Sequence, residues 1–108
     1  MSSVILRIKP RSEKRQDILT ILHSLEGPLS ARQNCLACEL YEAEENNSSI
    51  LYLEQWNSRE AMYAHIKSDL FLKILLVMEM AVEEPKISIG ETDDDQGMQL
   101  IHKLRGCD

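Results

Sequence analysis

Glu54, Trp56 and His65 bring a carboxylate, an indole and an imidazole into one short stretch, Ile50 to Ser68. Imidazole changes charge near neutral pH, which suits it to general acid or base work. An indole is a flat wall on which a planar substrate can stack. His65 and Trp56 are therefore the candidate catalytic residues, and Tyr52, Glu54 and Tyr41 are candidates for holding such a substrate. Each has a plainer alternative. Trp56 can anchor an interface, and His65 can be a helix histidine satisfied by a carboxylate or carbonyl. Glu54 can belong to an ion pair, and Tyr41, Tyr52 and Tyr63 can simply pack.

The elements that must position these residues are a strand and the helix after it. Ile50 to Trp56 alternates β-branched and aromatic residues, a strand pattern. Asn57 or Ser58 caps the following helix; with Asn57 as cap, Glu60 falls at the third helical position, where a carboxylate meets the positive helix end. The helical region runs from about 58 to 83 and breaks near Ser68-Asp69. Leu70, Ile74 and Met78 form one apolar line, and Phe71, Leu75 and Val82 a second, so this segment is buried on more than one side. Met62, Met78 and Met80 read as core filler.

Upstream, residues 3–9 form a first strand that Pro10 ends, with Val4, Leu6 and Ile8 on one face. Ser12 opens a helix to about Glu26, whose buried stripe is Ile18, Ile21, Leu22 and Leu25, with Gly27-Pro28 as its stop. His23 lies at the edge of that stripe, in solvent. Residues 35–43 form a second strand, with Leu36, Cys38 and Leu40 on one face and Cys35, Ala37, Glu39 and Tyr41 on the other. The polar run 44–49 turns it into the third strand as a hairpin. Residues 86–91 form a fourth strand, with Ile87 and Ile89 on its apolar face. The order β-α-β-β-α-β predicts an α+β, ferredoxin-like protomer with an antiparallel sheet.

Each strand has one aliphatic face, Leu51 and Leu53 supplying it on the third, and helices are expected to cover it. The opposite face then collects Ile5, Arg7, Glu39, Tyr41, Tyr52, Glu54 and Trp56. A soluble monomer seldom exposes so large an aromatic patch, so the pattern predicts a homodimer joined through that face. After Glu91 the character changes: residues 1–91 read as the domain, and 92–108 as an acidic linker with a C-terminal arm suited to docking on a partner subunit.

Composition narrows the function classes. A chain of 108 residues is one domain, and a net charge of −6 with no basic stripe disfavours nucleic acid as a partner. No apolar run reaches the roughly 18 residues of a membrane span. The N-terminus enters a strand pattern without a leader-like stretch, so the expected compartment is the cytoplasm. Cys35-Leu36-Ala37-Cys38 matches a C-x-x-C spacing, but in a regular strand residues three apart point to opposite faces, so both cysteines are expected to pack. No glycine-rich phosphate loop and no tight metal-ligand cluster is visible, so neither cofactor nor metal is expected.

Glu54-x-Trp56, the Asn57/Ser58 cap, His65 and Ser68, then an apolar helix, resemble the antibiotic biosynthesis monooxygenase family, from about Val4 to Ile89. The resemblance implies a dimeric α+β barrel. It also implies oxygenation of electron-rich phenols and quinols without metal or flavin, the substrate supplying electrons as its anion. His65 beside Trp56 would be the matching minimum. The alternatives are a non-catalytic dimeric barrel that binds a small molecule or acts as a stress-associated module, and haem degradation. Related haem-degrading barrels use an Asn on the first strand, a Trp on the third and a His on the last helix; here Trp56 is present, but Val4–Lys9 has no Asn and Asp69–Val82 has no His.

Overall fold

The computed structural model describes residues 2–43, 49–90 and 94–106. Its strands are β1 (Ser2–Ile8), β2 (Cys35–Glu42), β3 (Ile50–Trp56) and β4 (Lys86–Ile89), and its α-helices are α1 (Arg15–Ser30), α2 (Arg59–Ile66), α3 (Leu72–Met78) and α4 (Asp94–Arg105). The strands form one antiparallel sheet in the order β2-β3-β1-β4. This is the ferredoxin-like α+β arrangement the sequence predicts, with α4 added. The expected turn at 44–48, the linker residues 92–93 and Cys107 lie outside the described residues.

α1 packs on β2, α2 on β1 and β3, and α4 on β4. The face beneath them is the core: Val4, Leu6 and Ile8 from β1, Ile50, Tyr52, Glu54 and Trp56 from β3, and Ile87 and Ile89 from β4 are all buried. This corrects the predicted facing of β3. Register settles it, because Val4 lies opposite Glu54 and Leu6 opposite Tyr52, so the aromatic residues share the aliphatic face of β1. Leu51, Leu53 and Gln55 point to the open face with Ile5, Arg7, Glu39 and Tyr41. Glu54 tolerates burial because three donors come with it, as described below.

Other departures are local. α1 runs through Pro28 to Ser30. A proline this near the end forfeits one late helical bond. In exchange Leu29 extends the buried line of Ile18, Leu22 and Leu25, and the Ala31 amide still donates to the Gly27 carbonyl at 3.3 Å. The second helical region stops at Met78 rather than near 83. The chain then straps onto the end of β1, where the Val82 amide donates to Lys9 O at 2.8 Å and the Arg11 amide to Met80 O at 3.3 Å. In β2 a bulge between Cys35 and Ala37 lets Cys35 pair with Trp56 and Cys38 with Glu54. One extra residue restores the phase, so both cysteines sit on the core side, against the expectation of opposite faces.

Candidate functional site

Beneath the sheet, Glu54 is the hub of a buried polar cluster. The Tyr52 hydroxyl donates to Glu54 Oε2 at 2.6 Å, Trp56 Nε1 donates to Oε1 at 3.1 Å, and His65 Nε2 lies 2.9 Å from Oε2. Strand geometry explains two of these contacts: side chains two apart share a face, so Tyr52 and Trp56 flank the carboxylate. The third comes from α2. Ser58 caps that helix by accepting from the Ala61 amide at 3.1 Å, which fixes the helix phase and brings His65 over β3.

Glu54 and His65 are both 0% exposed. A buried carboxylate is costly unless paired and hydrogen-bonded, and here each oxygen has at least one donor. A carboxylate can only accept, so Nε2 of His65 carries the proton and a neutral ring leaves its lone pair at Nδ1. Nδ1 is buried and has no hydrogen-bond partner among the described residues. Aromatic rings hold the imidazole in place: Trp56 stacks on it at a centroid distance of 4.8 Å and 30°, and Phe71 meets it edge-on at 5.4 Å and 85°.

The cluster extends to the edge strand through Cys38 Sγ, 3.4 Å from the Tyr52 hydroxyl. Burial pushes the Tyr52 hydroxyl far above its ordinary range and the negative Glu54 pushes it further, so Tyr52 remains a donor at any physiological pH. Burial likewise pushes the Cys38 thiol up to about 11, which keeps it a thiol. The Cys35 thiol is raised for the same reason. Neither cysteine has the lowered pKa of a redox nucleophile.

Of the predicted residues, four meet in this cluster: His65, Trp56, Tyr52 and Glu54. Tyr41 does not. It is 50% exposed on the open face of the sheet, where its hydroxyl is raised chiefly by a hydrogen bond to Glu39. A cleft of about 400 Å³ opens there between Arg7, Lys9, Tyr41, Leu51, Glu84 and Lys86, on the other side of the sheet from His65. Phe71 and Cys38 join the cluster from positions the sequence marks only as packing residues. Phe71 carries a weak signal as the one phenylalanine, six residues past His65; Cys38 shares its predicted aliphatic face with Leu36 and Leu40, but nothing in the sequence signals its contact with the Tyr52 hydroxyl. Among the described residues no group of three or more His, Cys, Asp or Glu is placed to hold a metal ion, and no helix is long and apolar enough to cross a membrane.

The fold and its buried carboxylate–imidazole pair define a small ferredoxin-like α+β protein built around an internal polar cluster. Its backbone is similar to a conserved protein from Methanosarcina mazei, at 27% identity with a TM-score of 0.72, covering 82% of this chain and 88% of that one. It is also similar to Rv0793 from Mycobacterium tuberculosis, at 24% identity and a TM-score of 0.73 over 86% and 95% of the two chains. An uncharacterised Synechocystis protein is 25% identical over 64 residues, which cover 59% of this chain and 44% of that relative, so the match spans less than half of that protein. The family profile for antibiotic biosynthesis monooxygenase matches residues 1–75 of the 108, and the chain belongs to that family.

Proposed function

We propose that the protein is a cytoplasmic homodimer that oxygenates a small aromatic quinol or phenol without a bound cofactor, with His65 as base and Trp56 as a wall of the substrate site. The observation that carries this reading is the bare, buried Nδ1 of His65 behind a ring whose other nitrogen is fixed by Glu54. A base oriented by a carboxylate on its far nitrogen is the arrangement general-base chemistry needs. The acidic hydrogen of the substrate passes to Nδ1, and Glu54 stabilises the imidazolium that results. The electron-rich anion then reduces dioxygen. With an anthrone, the ring CH2 becomes a carbonyl, one oxygen atom staying in the product and the other leaving as water. In this reading Glu54 and Tyr52 act behind His65 rather than on the substrate, because both carboxylate oxygens are already engaged.

The homodimer reading rests on the open face, where Ile5, Leu51 and Leu53 are half-buried beside an exposed Tyr41. Free thiols at Cys35 and Cys38 are compatible with a reducing compartment. Residues 1–91 form the proposed oxygenase unit and 92–108 its appendage. A second reading, a non-catalytic barrel that binds a small molecule, is favoured by the complete burial of Glu54 and His65.

Oxygen uptake with naphthoquinols and anthrones separates the two. The wild type is expected to consume oxygen, and His65→Ala to lose on the order of 10²–10⁴-fold in rate with folding intact. Equal rates in the two proteins would remove His65 from the mechanism. A well-folded wild type with no uptake on any substrate would leave the binding reading.

A further inference from the structure

α4 lies beyond the stretch matched by the family profile, which ends at residue 75. It is seated tightly on its own protomer. Ile101 is wholly buried, and Gly97 lies so close to β4 that a Cβ there would stand 2.0 Å from the Ile87 carbonyl oxygen. At the far end of α4, Arg105 Nη1 donates to Ile66 O at 2.7 Å and to Ser68 O at 2.9 Å. Ile66 is the last residue of α2, the helix that carries His65, and Ser68 precedes the 3₁₀ turn Asp69–Phe71, whose Phe71 closes edge-on against the imidazole. Ser68 is itself tied back, its hydroxyl donating to His65 O at 2.6 Å. Carbonyls at a helix C-terminus lack intrahelical partners and carry the negative end of the dipole, so a guanidinium is their natural complement. One side chain thus holds the turn between the residue that bears Nδ1 and the ring that covers it.

Glu54, His65 and Phe71 are fully buried and Trp56 nearly so, so a ligand reaches Nδ1 only if one wall moves. One wall is a four-stranded hydrogen-bonded sheet. The other is two short pieces, α2 and the 3₁₀ turn, joined at Lys67-Ser68. Short segments with few hydrogen bonds of their own open at lower free energy than a laddered sheet. We propose that Arg105 is the latch of this second wall: its release from Ile66 and Ser68 frees the turn, moves Phe71 off His65, and opens the route by which a small aromatic ligand reaches Nδ1. The purpose of the opening rests on reading the Glu54–His65 cluster as a ligand site; the latch is testable without any ligand.

Trp56 is the one tryptophan and stacks on His65, so its fluorescence reports the site directly. Acrylamide quenching and amide hydrogen exchange are compared in the full-length wild type, Arg105→Gln, Arg105→Lys and, as a charge control on the same helix, Lys103→Gln. Arg105→Gln is expected to speed exchange across residues 66–72 by about tenfold or more and to expose Trp56 to acrylamide, with β1 and β3 amides still protected. Arg105→Lys, which keeps a cationic donor, should recover part of that protection, and Lys103→Gln should match the wild type. Unchanged exchange and quenching in Arg105→Gln overturn the latch. So does exchange that rises equally in β1 and β3, because that is general loosening. A variant that opens as expected but neither binds nor oxidises any phenol keeps the latch and removes the ligand reading.

Discussion

Adjacent residues of β3 live in opposite surroundings. Tyr52, Glu54 and Trp56 point under α2 and are buried, whereas Leu51, Leu53 and Gln55 point away and are half-exposed. The ionisable residue is inside and two aliphatic ones face outward. What decides the facing is the supply of partners rather than the polarity of a single residue. Glu54 arrives in the core with donors two residues to either side and a third from α2, so its charge is satisfied on burial. Leu51 and Leu53 gain nothing from the core that the aliphatic residues of β1 do not already supply, and they are free to serve a surface.

Substitutions on the two faces should therefore have different consequences. The largest effect is expected from Trp56→Ala, which removes the stacking wall and one donor to Glu54. It should cost about 3–5 kcal/mol in urea unfolding, by cavity formation in the protomer core. A Trp56→Ala protein as stable as the wild type would place the indole outside the core. Glu54→Gln comes next. An amide can accept from only one oxygen and presents an NH2 to groups that already donate, so at least one buried donor is stranded, at about 1–3 kcal/mol. The cost should shrink when Tyr52→Phe is added, because that removes one of the stranded donors, and a simple sum of the two losses would contradict the shared cluster. The smallest effect on the protomer is expected from Leu53→Lys on the open face, within about 0.5 kcal/mol of intrinsic stability. If the proposed dimer joins through this face, the consequence should appear in light scattering instead, as a shift from dimer to monomer. A Leu53→Lys protein that remains dimeric would move the proposed interface off this face.

The same comparison explains what could be read from the sequence. The element order, and the facing of β1 and β4, follow from aliphatic residues that alternate with polar ones, a pattern with one interpretation. β3 has apolar residues on both faces, so alternation alone gives two solutions, and the charge on Glu54 points to the wrong one. The corrective signal is the period-two spacing of Tyr52, Glu54 and Trp56, which sets two side-chain donors about one acceptor. His65 was legible as a candidate from its place on the helix after Trp56. Its contact with Glu54 depends on how α2 crosses the sheet, and Arg105 reaches the same region from 37 residues beyond Ser68, a distance no local pattern spans. Local pattern ends α1 at Gly27-Pro28 because a proline is a strong local stop, whereas the burial of Leu29 is a tertiary gain that local propensity does not contain.

The bulge in β2 has a consequence for solubility. β2 is an edge of the sheet, and a regular edge strand offers unpaired amides and carbonyls on which a stray strand can build. Between Cys35 and Ala37 the extra residue breaks the spacing of those groups and sets Leu36, 53% exposed, out of line with its neighbours. A strand approaching in register finds a matching edge over only part of its length. The irregularity that turns both cysteines inward thus also shortens the template that this edge presents to fibril growth.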